Sequence, residues 1–419
     1  MSRTAFRQQN TGTTGARVAS VRLPPLVIIV LVFTVVAFYG GGKVLGYNIS
    51  GISWVVPMAV ALLVLVRNLN RVTFPFVFWL PWALLLLTYL TIVDYRFIES
   101  RVVPVQRTLQ LLSPVIVGMA VSTFRTTPLH LAAFSRVIRL LSLVLLGIAL
   151  FKAGLLLTGR LPYFTPLAPE VMTVMLLCTF FATRYFIRRD KRDLIFWGVL
   201  ACVPVIAVTR TAIAATLLTF PLSFGPMRKS YRIGALLLIA AVGLGLFYSP
   251  RMQQRMFYSG EGELSDIFNE DFATESILSS DFATSSRSFM WERMYESAQE
   301  KQWTGHGTGA GETFAYQITE SIAYPHNDWL LTYFDYGVLG VAVFTGCMLL
   351  TMWDCLRKVR TCRHPGTRQL LLTGASAFIP FMLMMVTDNI MVYASFFGNL
   401  HFTFLGLAHG ALRAEKHVY

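Results

Sequence analysis

Residues 324–351 read YPHNDWLLTYFDYGVLGVAVFTGCMLLT, a short polar turn that runs directly into a long apolar stretch. From 327 to 351 the run exceeds the ~20 residues a helix needs to cross a hydrocarbon core of ~30 Å. It predicts a membrane helix, and the polar residues before it predict a water-facing loop.

Working outward from that run, the same pattern fills nearly the whole chain. Of 419 residues, 55% are apolar and only 14% charged, a composition that excludes an ordinary soluble enzyme and defines a polytopic membrane protein. Apolar runs fall near 24–40, 46–66, 74–93, 103–122, 138–158, 171–187, 194–209, 211–225, 233–249, 327–351, 369–387 and 391–411. The expected fold is therefore all-α, with about twelve transmembrane helices. One large polar segment interrupts them, between the ninth and tenth runs.

Loop charges orient the chain, because Lys and Arg are retained on the cytoplasmic side. Arg3, Arg7, Arg17 and Arg22 precede the first run, and Arg67 and Arg71 follow the second. Basic residues also follow the fourth run (Arg125, Arg136, Arg139), the sixth (Arg188, Arg189, Lys191, Arg192), the eighth (Arg228, Lys229, Arg232) and the tenth (Arg357, Lys358, Arg360, Arg363, Arg368). This alternation accounts for the net charge of +14 as topology, so no nucleic-acid partner is implied. It predicts a cytoplasmic tail over 1–23, helices over 24–249, an exported loop over 250–326, helices over 327–412 and a second cytoplasmic tail over 413–419. No small-x-small site follows Phe38, so the first run reads as a retained signal anchor.

The five cysteines all fall in apolar runs or at the cytoplasmic face, so the exported loop holds no disulfide, and no Cys/His spacing suggests zinc. No long-range internal repeat is visible. A carrier of two related halves would also be expected to place its longest linker inside, between the halves.

The exported loop opens with an acidic part in which Asp271-Phe-Ala-Thr recurs as Asp281-Phe-Ala-Thr. It reads as a solvated tether, without a DxD pair to hold a divalent ion. From Arg287 to Ala298, Phe289, Met290, Met294, Tyr295 and Ala298 recur at helical spacing, which predicts an amphipathic helix lying in the membrane interface. Arg287 at its start presents a cationic fork beside unpaired backbone NH groups, suited to phosphate oxygens or to pairing with Glu292. The string Gly305-His-Gly-Thr-Gly-Ala-Gly311 has no preceding strand and no Lys-Ser/Thr ending, so it predicts tight turns and not a nucleotide loop.

Among seven histidines only His306 and His326 map clearly to the exported side. Imidazole accepts a proton near neutral pH, which makes His326 a candidate general base at the membrane boundary, with helix capping as the structural alternative. Asn327 and Asp328 follow it, either to orient the ring or to cap the helix. Arg210 sits between two apolar runs that reach the outer face, where an arginine is costly unless it lines a cavity or marks a turn. Arg107, Lys152 and the Asp388-Asn389 pair are further candidates, equally readable as snorkelling or pairing residues.

Taken together, Arg210-Thr211, Arg287 ahead of Trp291, the glycine string, and Pro325-His326-Asn327 leading into Gly337 and Gly340 resemble the bacterial O-antigen ligases and related surface-polysaccharide polymerases. The resemblance covers roughly residues 200–345. It implies a helical fold of the membrane glycosyltransferase type C kind, in the bacterial inner membrane, acting at the periplasmic face. It implies inverting, metal-independent transfer without a cofactor, from an undecaprenyl-diphosphate-linked glycan. Arg210 and Arg287 would hold the diphosphate, and His326 would serve the acceptor hydroxyl. The acceptor it implies is a lipid A core, as in the ligases, a second lipid-linked repeat unit, as in the polymerases, or a protein hydroxyl, as in a third branch. A lipid-linked-sugar flippase or polysaccharide exporter is the alternative from another class.

Overall fold

The computed structural model describes residues 22–39, 43–44, 47–92, 94, 96–98, 102–158, 168–206, 210–256, 287–319 and 324–416. Within them the chain is helical apart from one short antiparallel pair, Lys43–Val44 with Tyr47–Asn48. In order the α-helices are α1 (Pro25–Tyr39), α2 (Ile49–Asn68), α3 (Leu80–Thr88), α4 (Val102–Ser122), α5 (Pro128–Leu157), α6 (Ala168–Arg188), α7 (Lys191–Ile206) and α8 (Arg210–Leu218). They continue with α9 (Lys229–Phe247), α10 (Pro250–Met256), α11 (Arg287–Ala298), α12 (Ala310–Thr319), α13 (Asp328–Thr361), α14 (Pro365–Met384) and α15 (Ala394–Lys416).

A helix stands in each of the twelve apolar runs. By length and composition, seven helical segments among the described residues are able to cross a membrane. The shortest of the remainder have visible causes. Pro75 and Pro81 break the 74–93 run, leaving a 3₁₀ turn and the nine-residue α3. The 211–225 run gives only the nine-residue α8, which ends in turns ahead of Pro221 and Pro226.

The bundle closes where small residues let backbones meet. A side chain on Gly406 would lie 2.6 Å from the Gly118 carbonyl, and one on Gly118 would lie 3.2 Å from Phe402. This pins α4 against α15, helped by the Ser113 hydroxyl donating to the Asn399 side-chain oxygen at 3.0 Å. Helices α6 and α15 are almost wholly buried, whereas α9 is exposed along nearly its whole length. Several buried charges are paired. Lys152 bonds the Glu170 carboxylate and the Phe38 carbonyl, and Arg139 and Arg184 share the buried Asp193.

The helix at 287–298 forms as expected, and part of its apolar face packs on protein. Met290, Met294 and Ala298 are buried against Phe97, Ala310, Ala315 and Phe334. This small second core gave α11 a protein surface to cover, so it packs on α12 and α13. The acidic repeat and the tether it suggests, within 257–286, lie outside the described residues.

Candidate active site

The glycine string is a dock built around one carboxylate. Asp335 accepts from the Gly309 amide at 2.8 Å and the Gly311 amide at 2.7 Å, and its own carbonyl accepts from Gly307. Gly305, Gly307 and Gly309 all have positive φ, which lets the backbone turn tightly enough to present these amides to one side chain. Gly337 (φ 66°, ψ −168°) interrupts α13 at the same level, and a side chain there would strike the Trp303 backbone at 2.3 Å. His306 is consumed structurally, with Nδ1 3.2 Å from Asp94 and Nε2 3.1 Å from the Ser297 carbonyl. The tight turns expected at 305–311 are therefore present, and their amides are held by the protein itself.

That dock places the 324–328 turn beside the 387–390 turn between α14 and α15. The His326 amide donates to the Asn389 side-chain oxygen at 2.7 Å, and His326 Nδ1 lies 3.5 Å from Asp388 Oδ1. His326 has φ 52°, a left-handed conformation that a non-glycine residue holds only when its surroundings fix it. The Asn389 bond supplies that fixing, together with the Trp291 indole, which donates to the Pro325 carbonyl. The His326 and Asp388 side chains are 31% and 29% exposed, so the pair is held yet reachable from outside.

The neighbouring residues divide the two roles left open by the sequence. Asn327 caps α13, its side chain accepting from the Leu330 amide at 3.0 Å. Asp328 is buried and accepts from the Met391 amide at 2.7 Å, tying the start of α13 to the same turn that carries Asp388. Neither contact reaches the imidazole, so both residues secure its backbone.

Arg210 is the first residue of α8 and is half-buried. Next to it, Thr211 accepts from the Thr387 hydroxyl at 2.6 Å. The 387–389 turn thus touches the start of α8 on one side and His326 on the other. Arg287 is the first residue of α11, and its side chain lies outside the described residues. Lys152, spent on Glu170, is not among the residues this turn gathers.

Arg107 is not open for a ligand in this arrangement. Its Nε lies 2.6 Å from Glu312, one Nη donates to Glu312 and the Tyr324 hydroxyl at 2.8 and 2.9 Å, and the other donates to Gln110 at 2.7 Å. Burial pushes the Glu312 carboxyl up from its ordinary value, with Arg107 pulling the other way. Tyr393 is within electrostatic reach of Tyr324, Asp388, Arg107 and Glu312, so this cluster adjoins the His326 centre. Glu312 was not singled out from the sequence. The signal was the demand of an arginine in an apolar helix for a nearby carboxylate.

Fold and site together define a helical membrane protein with a histidine–carboxylate centre at one end of its bundle. Residues 194–345 match the model of the family described as O-antigen ligase, so this segment is similar to that family. Arg210, Arg287, the glycine string and His326 fall inside the match, while Arg107 and Asp388 lie outside it. The match supports the class of ligases or polymerases of lipid-linked glycans. No curated protein matches the chain.

Proposed function

We propose that the chain transfers a glycan from undecaprenyl diphosphate to an acceptor sugar hydroxyl at the periplasmic face of the bacterial inner membrane. The observation that carries this reading is the shared turn at 387–389, which joins Thr211, beside Arg210, to His326 and its carboxylate neighbour Asp388. In the reaction the acceptor oxygen attacks the anomeric carbon, with inversion, as the bond from that carbon to the phosphate oxygen breaks. The acceptor proton passes to His326, and Asp388 stabilises the imidazolium formed. Charge developing on the departing diphosphate is met by Arg210 and Arg287, fixed cations whose interaction strengthens as the bond breaks.

The acceptor in this reading is a lipid A core, in keeping with the ligase description of the matched segment. The test is product analysis with purified protein, a lipid-diphosphate glycan and two acceptors offered separately: lipid A core and a second lipid-linked repeat unit. Transfer to the core alone supports the ligase, and transfer to the repeat unit alone reassigns the chain as a polymerase. Sugar translocation in vesicles without any transfer contradicts the enzyme reading in favour of a flippase.

A further inference from the structure

Helix α13 carries the chain away from His326, and α14 starts back at Pro365. The roughly two dozen residues of α13 after Gly337 alone span about 36 Å at 1.5 Å each, so the turn before Pro365 lies a membrane's depth from the candidate active site. A cleft of about 870 Å³, counting space open to solvent, lies beside that turn, between the starts of α5 and α14 and the end of α15. Arg125 and Arg363 stand among its lining residues, and Leu131, Pro365, Ala411 and Ala414 supply apolar wall.

The lining is amphipathic in a specific way. Its one carboxylate, Glu415, is already engaged by the Thr367 hydroxyl at 2.8 Å and the Arg363 amide at 3.3 Å. Against that single carboxylate stand the two guanidinium groups of Arg125 and Arg363, which leave the lining net positive, and guanidinium is the side chain best matched to phosphate oxygens. The volume is that of a small-molecule site. The opening sits at the basic end of the bundle, with Arg368 and Arg413 nearby in the chain, the end that loop charge assigns to the anionic cytoplasmic leaflet. A soluble anion would use the arginines but not the apolar wall, whereas a phospholipid uses both.

We propose that this cleft binds an anionic phospholipid from the cytoplasmic leaflet, its phosphate at Arg125 and Arg363 and the upper part of an acyl chain along Leu131 and Ala414. The site is separate from the glycan chemistry and does not depend on it.

Full-length protein purified in an uncharged detergent tests this by native mass spectrometry against phosphatidylglycerol, phosphatidylcholine and inorganic phosphate. Phosphatidylglycerol should bind at least tenfold more tightly than phosphatidylcholine, and Arg125→Ala with Arg363→Ala should remove that preference. Arg228→Ala with Lys229→Ala, basic residues outside the cleft, should keep it. Ala414→Phe retains both arginines and fills the apolar wall, so it should weaken phosphatidylglycerol binding even if the double arginine variant fails to fold. Equal binding of the two lipids, unchanged binding in Ala414→Phe, or inorganic phosphate competing as well as phosphatidylglycerol would each overturn the proposal.

Discussion

The backbone amide of His326 donates to the side-chain oxygen of Asn389 at 2.7 Å, across 63 positions of sequence, and so helps hold the His326 backbone in its left-handed conformation. Removing that acceptor leaves a partly buried NH unmet, at a cost of about 1–3 kcal/mol. Asn389→Ala is expected to lower the thermal midpoint modestly and to reduce transfer by more than the stability loss explains. Measuring both on one preparation checks this, and an unchanged rate would separate the backbone conformation from activity.

Asp388 acts on the side chain of His326, where Asn389 acts on its backbone. Asp388→Asn keeps the shape and removes the charge that would stabilise an imidazolium. Transfer should fall by about tenfold or more with folding intact, measured as rate and thermal midpoint on the same preparation. A parental rate in Asp388→Asn would mean the 3.5 Å contact has no chemical role.

The Arg107–Glu312 pair joins α4 to α12 with little solvent access. Breaking it from either side leaves an uncompensated buried charge, worth about 3–5 kcal/mol. Arg107→Gln and Glu312→Gln should each destabilise strongly, and the double variant should recover much of the loss. A double-mutant cycle by denaturation gives the coupling directly, and additive losses would contradict the pairing.

Asp94 receives Arg96, Lys301 and His306, and the Arg96 guanidinium is the foremost cause holding its carboxyl below the usual carboxylate range. A depressed folded value makes the stabilisation present above the unfolded aspartate value of about 3.9 and lost as pH falls from there through the lower folded value. Acid titration of thermal stability should show this loss, and Asp94→Asn should flatten it. An identical acid profile in Asp94→Asn would place the titration elsewhere.

Much of this architecture was legible because an apolar run long enough to cross a bilayer has few other uses, and a helix does stand in each of the twelve runs. What escaped was set by contacts between distant residues. Pro75 and Pro81 break the 74–93 run, and Met290 and Met294 of α11 pack in a small core with Phe97 and Phe334. His326 was visible as an exported histidine. Its φ depends on Asn389, and the occupation of Arg107 depends on Glu312 and Tyr324, neither of which spacing along the chain reveals.

The central claim is that His326 removes the acceptor proton while the arginines hold the donor. Its most direct test is single-turnover transfer by His326→Ala, alongside equilibrium binding of the lipid-diphosphate glycan to the same protein. The predicted result is transfer reduced by about 10²-fold or more, the usual scale of a positioned general base, with donor binding within twofold of the parent. Transfer at the parental rate, or loss of donor binding equal to the loss of transfer, would contradict it.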